Sequence, residues 1–155
     1  MGWESKPVPL LIDVENAYWS KESPLDTRSN PASAAAPGSI GSLAAVARVG
    51  KVPQSVYGLD TQSLKGDSDE GLSEGQRDEL RELGPRAGAK RGGTRNSKRY
   101  PSAFFATTLN TRLQLKGVET LFIYGIRTCD YVYDTTLVTM CYAYRAMLGR
   151  SLGVP

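Results

Sequence analysis

The chain has 155 residues, enough for one domain of ordinary size, and its 40% apolar content is at the lean end for a globular core. A net charge of +3 is too small to argue for a nucleic-acid partner, and the lack of any histidine removes Ser/His/Asp and Cys/His catalysis and argues against a transition-metal site. Neither a membrane span nor a signal peptide is legible, and the two cysteines, Cys129 and Cys141, have no disulfide-framework spacing, so a reducing, cytoplasmic setting is expected.

The first apolar run, Pro7-Val8-Pro9-Leu10-Leu11-Ile12-Asp13-Val14, suits a strand buried on both faces, with an acid near its end. Ser20 to Pro37 is rich in Ser, Pro and Asn and reads as a loop. Ile40, Leu43, Ala44 and Ala47 share one helical face before Gly50, which predicts a helix over 39–50. A weak strand follows at Val52–Tyr57. From Gly58 to Ser97 the periodicity fails, so loop or disorder is expected, with one helical candidate at Ser73–Leu83. The basic residues Arg86, Lys90, Arg91, Arg95, Lys98 and Arg99 cluster at the end of this stretch and just past it, without an acid among them. No aromatic residues are interleaved with them, and they read as a solvated loop rather than a nucleic-acid strip.

Order returns with a helix at about Thr107–Lys116, burying Leu109 and Leu113 and stopped by Gly117. The strand Thr120–Tyr124 comes next, then a helix over Val132–Met147 with Val132, Thr136, Met140, Cys141, Tyr144 and Met147 inward. Cys141 is expected to be a core thiol. This alternation argues for an α/β domain with a parallel sheet. Ligands in such sheets bind beyond the carboxyl ends of the strands, where Asp13 and the Gly125–Tyr131 loop can converge.

Three segments carry a resemblance. The first is Leu10-Leu11-Ile12-Asp13-Val14-Glu15-Asn16-Ala17-Tyr18-Trp19, with Ser23–Thr27 and Ser29–Ala32 after it. The second is Lys98-Arg99-Tyr100-Pro101-Ser102-Ala103-Phe104-Phe105 with Ala106–Leu109. The third is Gly117–Gly125 with Thr128, Val132, Thr135-Thr136-Leu137 and Met140-Cys141-Tyr142. Together they resemble the isochorismatase-like cysteine hydrolases, in the branch of the N-carbamoylsarcosine amidases, over roughly residues 6–57 and 98–148.

The resemblance implies one Rossmann-like, three-layer α/β/α domain over residues 6–150. It implies hydrolysis of an amide, imide or carbamoyl C–N bond in a small molecule, with no metal or organic cofactor, and homo-oligomeric assembly. It places the family's base at Asp13 and its lysine at Lys98, with the oxyanion hole around Arg127 to Tyr131. Asn16, Tyr18, Trp19, Tyr100 and Phe104 are the candidate pocket residues, with packing as their alternative role.

One position departs from the family pattern Gly-x-x-Thr-x-x-Cys-Val-x-x-Thr. Laid over Gly125 and Thr128, the pattern puts Tyr131 in the nucleophile column and leaves Cys129 two residues early. Three readings compete: Tyr131 replaces the nucleophile and hydrolysis is lost or impaired, Cys129 reaches the site through a rearranged loop, or Tyr131 is itself reactive. A phenol with a pKa near ~10 needs about 4 kcal/mol to ionise substantially at neutral pH. A helix N-terminus supplies only about 0.3–2 kcal/mol of that. A thiol starting near ~8.5 needs far less help.

Three family segments read as shortened or absent: the stretch after the second strand, the strand before Lys98, and the region after the last helix. There Ala146-Met147-Leu148 begins a strand that Gly149-Arg150 interrupts. A shortened sheet buries less apolar area and exposes unpaired edges, so marginal stability, aggregation or dependence on a partner is expected.

Overall fold

Two apolar segments set the centre of the molecule. Pro7–Ile12 and Thr120–Gly125 contain no charged residue, so neither can face water, and they pair in parallel from Pro7↔Thr120 to Ile12↔Gly125. The computed structural model describes residues 7–49, 54–59, 73–81, 93–126 and 128–149. In chain order the elements are β1 (Pro7–Ile12), α1 (Pro31–Val49), β2 (Gln54–Leu59), α2 (Glu74–Arg81), β3 (Gly93–Lys98), α3 (Leu109–Leu115), β4 (Thr120–Gly125), α4 (Tyr133–Cys141) and β5 (Arg145–Leu148). A 3₁₀ turn at Asn16–Tyr18 follows β1, and a π-helical turn at Thr128–Val132 leads into α4.

The five strands form one parallel sheet in the order β3-β2-β1-β4-β5. Alternate side chains of the central strands feed two cores. Val8, Leu10, Ile12, Leu121 and Ile123 pack with Leu109, Leu113 and Val132 on the face covered by α3 and α4. Leu11 and Tyr124 pack with Ala36, Ile40, Tyr18 and Trp19 on the face covered by α1. The result is the three-layer α/β/α arrangement expected from the sequence.

Several expectations are corrected. The helix expected from Ser39 begins at Pro31, inside the stretch read as a loop. Asn30 explains the start: its Oδ1 accepts from the N–H groups of Ala32 (3.0 Å) and Ser33 (3.4 Å), and Pro31 takes the first helical position, where no N–H is needed. Pro37 lies within α1 and cannot donate to the carbonyl of Ser33. The indole Nε1–H of Trp19 donates to that carbonyl instead, at 2.9 Å in a buried setting. Trp19→Phe would orphan the carbonyl and should cost about 2–3 kcal/mol, read as a lower urea midpoint at unchanged slope.

The strand expected to be missing before Lys98 is present as β3, paired with β2 from Gln54↔Gly93 to Leu59↔Lys98. Its sequence, GTRNSK, has no apolar side chain of any size, which is why hydrophobic patterning misses it; it is one of the sheet's two edge strands, where polar residues are tolerated. The helical candidate at Ser73–Leu83 is α2, opened by a reciprocal cap in which Ser73 N–H donates to Gln76 Oε1 (2.9 Å) and Gln76 N–H to Ser73 Oγ (3.3 Å). The rest of the stretch read as low in order, residues 60–72 and 82–92, lies outside the described residues.

The helix expected to reach Met147 stops at Cys141, and Arg145–Leu148 is a fifth strand paired with β4. Ala143 at φ 61 makes the reversal. Val132, Thr136 and Tyr144 are buried as expected, but Cys141, Met140 and Met147, expected inward, are exposed, and Thr135 and Thr139 are buried in their place. The threonine hydroxyls are satisfied locally: Thr136 Oγ1 donates to the carbonyl of Val132 and Thr139 Oγ1 to that of Thr135, each at 2.7 Å.

Candidate active site

Because all five strands are parallel, their carboxyl ends share one edge of the sheet. The order β3-β2-β1-β4-β5 reverses direction at β1/β4, and such a switch point opens a crevice there. Ile12 and Gly125 are register partners at that point. Asp13 therefore emerges beside the loop that leads to Tyr131.

Asp13 has φ 51, a left-handed conformation uncommon outside glycine, and it is 1% exposed. Such a strained residue at a strand end points toward function rather than packing. Lys98 closes β3, two strands away, or roughly 9.5 Å in sheet spacing. Its four-carbon stem spans that gap and brings Nζ to 3.0 Å from Asp13 Oδ2, with both side chains sealed from solvent. This lysine therefore does not belong to a solvated basic strip. Arg86, Lys90 and Arg91, and the side chain of Arg95, lie outside the described residues.

Tyr131 completes the group. The Lys98 ammonium stands over its ring, 4.2 Å from the centroid, so the ring face rather than the phenol oxygen meets the charge. A desolvated contact of this kind is worth about 2 kcal/mol. Burial pushes the Lys98 ammonium below the usual lysine range, and the carboxylates of Asp13, Glu15 and Asp134 oppose that shift. Glu15, itself buried, and Asp134 are additions that sequence reasoning missed; Glu15 was visible only as the second acid of Asp13-Val14-Glu15.

The turn carrying Tyr131 is fixed from both sides. Val132, its neighbour, is buried in the α3/α4 core. Thr135 Oγ1 accepts from the N–H of Ala103 at 3.1 Å, tying α4 to the loop that follows Lys98. Gly125, at the start of the loop that leads to Tyr131, leaves no room for a side chain: a Cβ there would lie 2.0 Å from the carbonyl oxygen of Ile12. Gly125→Ala should therefore force β4 away from β1 at the site and cost about 3 kcal/mol or more, seen as a lowered thermal midpoint.

The remaining candidates separate. Cys129 sits in the same π-helical turn as Tyr131 but is exposed. Arg127, a candidate for the oxyanion hole, lies outside the described residues. Phe104 is buried between Tyr142 (5.4 Å) and Tyr144 (6.1 Å), and Tyr18 and Trp19 belong to the α1 core. All three lie in the buried clusters of the two cores. Asn16 is half-buried and donates from Nδ2 to the carbonyl of Glu79 at 3.1 Å, holding α2 against the turn after Asp13. Tyr100, two residues past Lys98, is exposed and stands edge-on to Phe105 at 4.7 Å.

Among the described residues, no group of His, Cys, Asp or Glu is placed to hold a metal ion, and no helix is long and apolar enough to cross a membrane.

No protein-family model and no curated protein matches the chain. Solved structures do. The N-carbamoylsarcosine amidase of Thermoplasma acidophilum superposes with a TM-score of 0.79 at 17% identity, over 97% of this chain and 85% of that one. An isochorismatase from Pseudomonas putida gives 0.76 at 22% identity, over 96% and 72%. The nicotinamidase/pyrazinamidase of Bacillus subtilis gives 0.76 at 16% identity, over 97% and 87%. On this likeness the chain has the α/β fold of the isochorismatase-family hydrolases.

Proposed function

We propose that this chain is an isochorismatase-like hydrolase for small amides or carbamoyl compounds, working in the cytoplasm, whose turnover is blocked by Tyr131 at the nucleophile position. The carrying observation is the buried Asp13–Lys98 pair with the half-buried Tyr131 beside it, Nζ lying 3.0 Å from the carboxylate and 4.2 Å from the ring centroid. Two free, exposed cysteines fit a reducing compartment. The substrate class comes from the likeness to amidase, isochorismatase and nicotinamidase structures.

With a thiol at position 131 the chemistry is complete. Asp13 takes the thiol proton, and the sulfur attacks the carbonyl or carbamoyl carbon. Lys98 offsets the charge that builds up, and N–H groups of the 127–131 loop receive the oxyanion. The C–N bond breaks as the leaving amine takes up a proton, and water then cleaves the acyl–sulfur bond. The native phenol does none of this. A phenol is a far weaker nucleophile source at neutral pH than a thiol, and the Tyr131 ring stands beside the Lys98 ammonium, 4.2 Å from Nζ to its centroid.

The experiment is an assay of the unmodified chain, Tyr131→Cys and Cys129→Ser against a panel of small amides. Activity gained with Tyr131→Cys alone supports the proposal. Native activity abolished by Cys129→Ser would transfer the nucleophile role to Cys129. No activity in any variant leaves a noncatalytic relative that binds a small molecule or a homologous subunit.

A further inference from the structure

A cavity of about 400 Å³ is lined by Glu119, Thr120, Met140, Ala143, Tyr144 and Arg145. It opens where β4 begins at Thr120 and β5 at Arg145, which are register partners. Asp13 and Lys98 stand at the other, carboxyl end of the sheet. A six-residue strand such as β4 puts roughly 20 Å between the two ends. The volume falls at the lower end of the range for small-molecule sites, about 300–1,000 Å³. Tyr144 is buried and its O–H donates to Asn110 Oδ1 at 2.8 Å, so its ring is a fixed wall. Ala143, at φ 61, makes the reversal from α4 into β5 with a side chain of a single methyl, which leaves the cavity open. A residue other than glycine held in that conformation is strained, as is common at binding sites. The Arg145 N–H donates to the carbonyl of Glu119 at 2.8 Å, so the residues that bring a guanidinium and a carboxylate to the lining are neighbours.

We infer that this cavity is a binding site for a free α-amino acid with an apolar side chain, separate from the Asp13–Lys98 site. The lining matches such a ligand group by group. Arg145 takes the carboxylate through paired N–H donors, the geometry that a planar guanidinium favours. Glu119 takes the ammonium. Both ligand charges sit on a single carbon, which suits a base and an acid supplied by adjoining residues. The apolar side chain rests on the Tyr144 ring and on Met140, whose flexible thioether adapts to its shape. A lone acid or a lone amine of the same size would set one of the two protein charges against apolar atoms, which disfavours it. The inference is independent of the nucleophile question, because no lining residue belongs to the Asp13, Lys98 and Tyr131 group.

The test is an amide NMR titration of the nitrogen-15-labelled full chain with L-leucine up to about 20 mM, which brackets the roughly millimolar Kd expected of so small a ligand. The expected result is a saturable shift of the amides of residues 119–120 and 143–145, with those of residues 13–18 and 98–104 unmoved. N-acetyl-L-leucine, which lacks the ammonium, and L-leucinamide, which lacks the carboxylate, should each bind at least ~10-fold more weakly. Arg145→Gln and Glu119→Gln should weaken L-leucine binding to the same degree. Both residues are exposed, so the thermal midpoint should hold. Tyr131→Cys should leave the affinity unchanged. No saturable shift, shifts centred on residues 13–18 and 98–104, equal binding of the three compounds, or indifference to both variants would each overturn the inference.

Discussion

Tyr131→Cys should convert a silent or nearly silent chain into an amide hydrolase, raising kcat/KM on its best small amide at least ~100-fold over the unmodified protein. The size follows from what a missing nucleophile costs, which reaches about 10⁶-fold in an otherwise complete hydrolase site. Part of that is withheld because the neighbouring groups here have adjusted to a phenol. The base and the cation are in place: Lys98 Nζ lies 3.0 Å from Asp13 Oδ2, and both are held by strand ends rather than flexible loops. The gain should carry a stability cost. Removing the ring empties space beside the core and forfeits the contact with the Lys98 ammonium, which should lower stability by about 2–3 kcal/mol. Activity and thermal midpoint should therefore move in opposite directions, as expected where a functional site is the strained part of a fold. Cys129→Ser should change neither, because Cys129 is exposed.

The second large effect is on folding. Asp13→Asn or Lys98→Met alone leaves one full charge in a sealed site, and breaking a buried pair in this way costs about 3–5 kcal/mol. A domain of this kind has only about 5–15 kcal/mol in hand, so each single variant should be largely unfolded at modest urea concentrations. The double variant removes both charges of the pair together, and Asn tolerates the φ of 51 that position 13 requires. It should recover much of the loss, so urea denaturation of the four proteins should give a coupling energy of about 2 kcal/mol or more. Additive losses would mean that the two groups do not depend on each other, against the 3.0 Å geometry.

These effects rest on residues that were largely legible in the sequence. Asp13 stands out as an acid closing a charge-free run, and Tyr131 as a misfit in an otherwise coherent loop. The central strands were legible because they are buried on both faces and must be apolar throughout. The edges were not. Strand β3 is polar from end to end, and its place is set by pairing with β2 rather than by patterning. The end of α4 was misplaced because its inward face is threonine. The hydroxyls bond back to the helix's own carbonyls, so a polar residue costs little there, and the apolar residues that seemed to mark the core instead face outward. The early start of α1 had a visible signal in Asn30-Pro31. Pro37 masked it, because nothing local reveals that Trp19 will satisfy the carbonyl that Pro37 abandons. Phe104, a pocket candidate, is drawn inward by two tyrosines that lie nearly forty residues on.

The most direct measurement uses Tyr131→Cys with both native cysteines changed to serine, mixed with an activated small amide and quenched for intact-mass and peptide analysis. The account predicts a transient acyl adduct on residue 131 that forms and decays at the rate of product release. No adduct at that position, together with an adduct on Cys129 when that cysteine is retained, would contradict it.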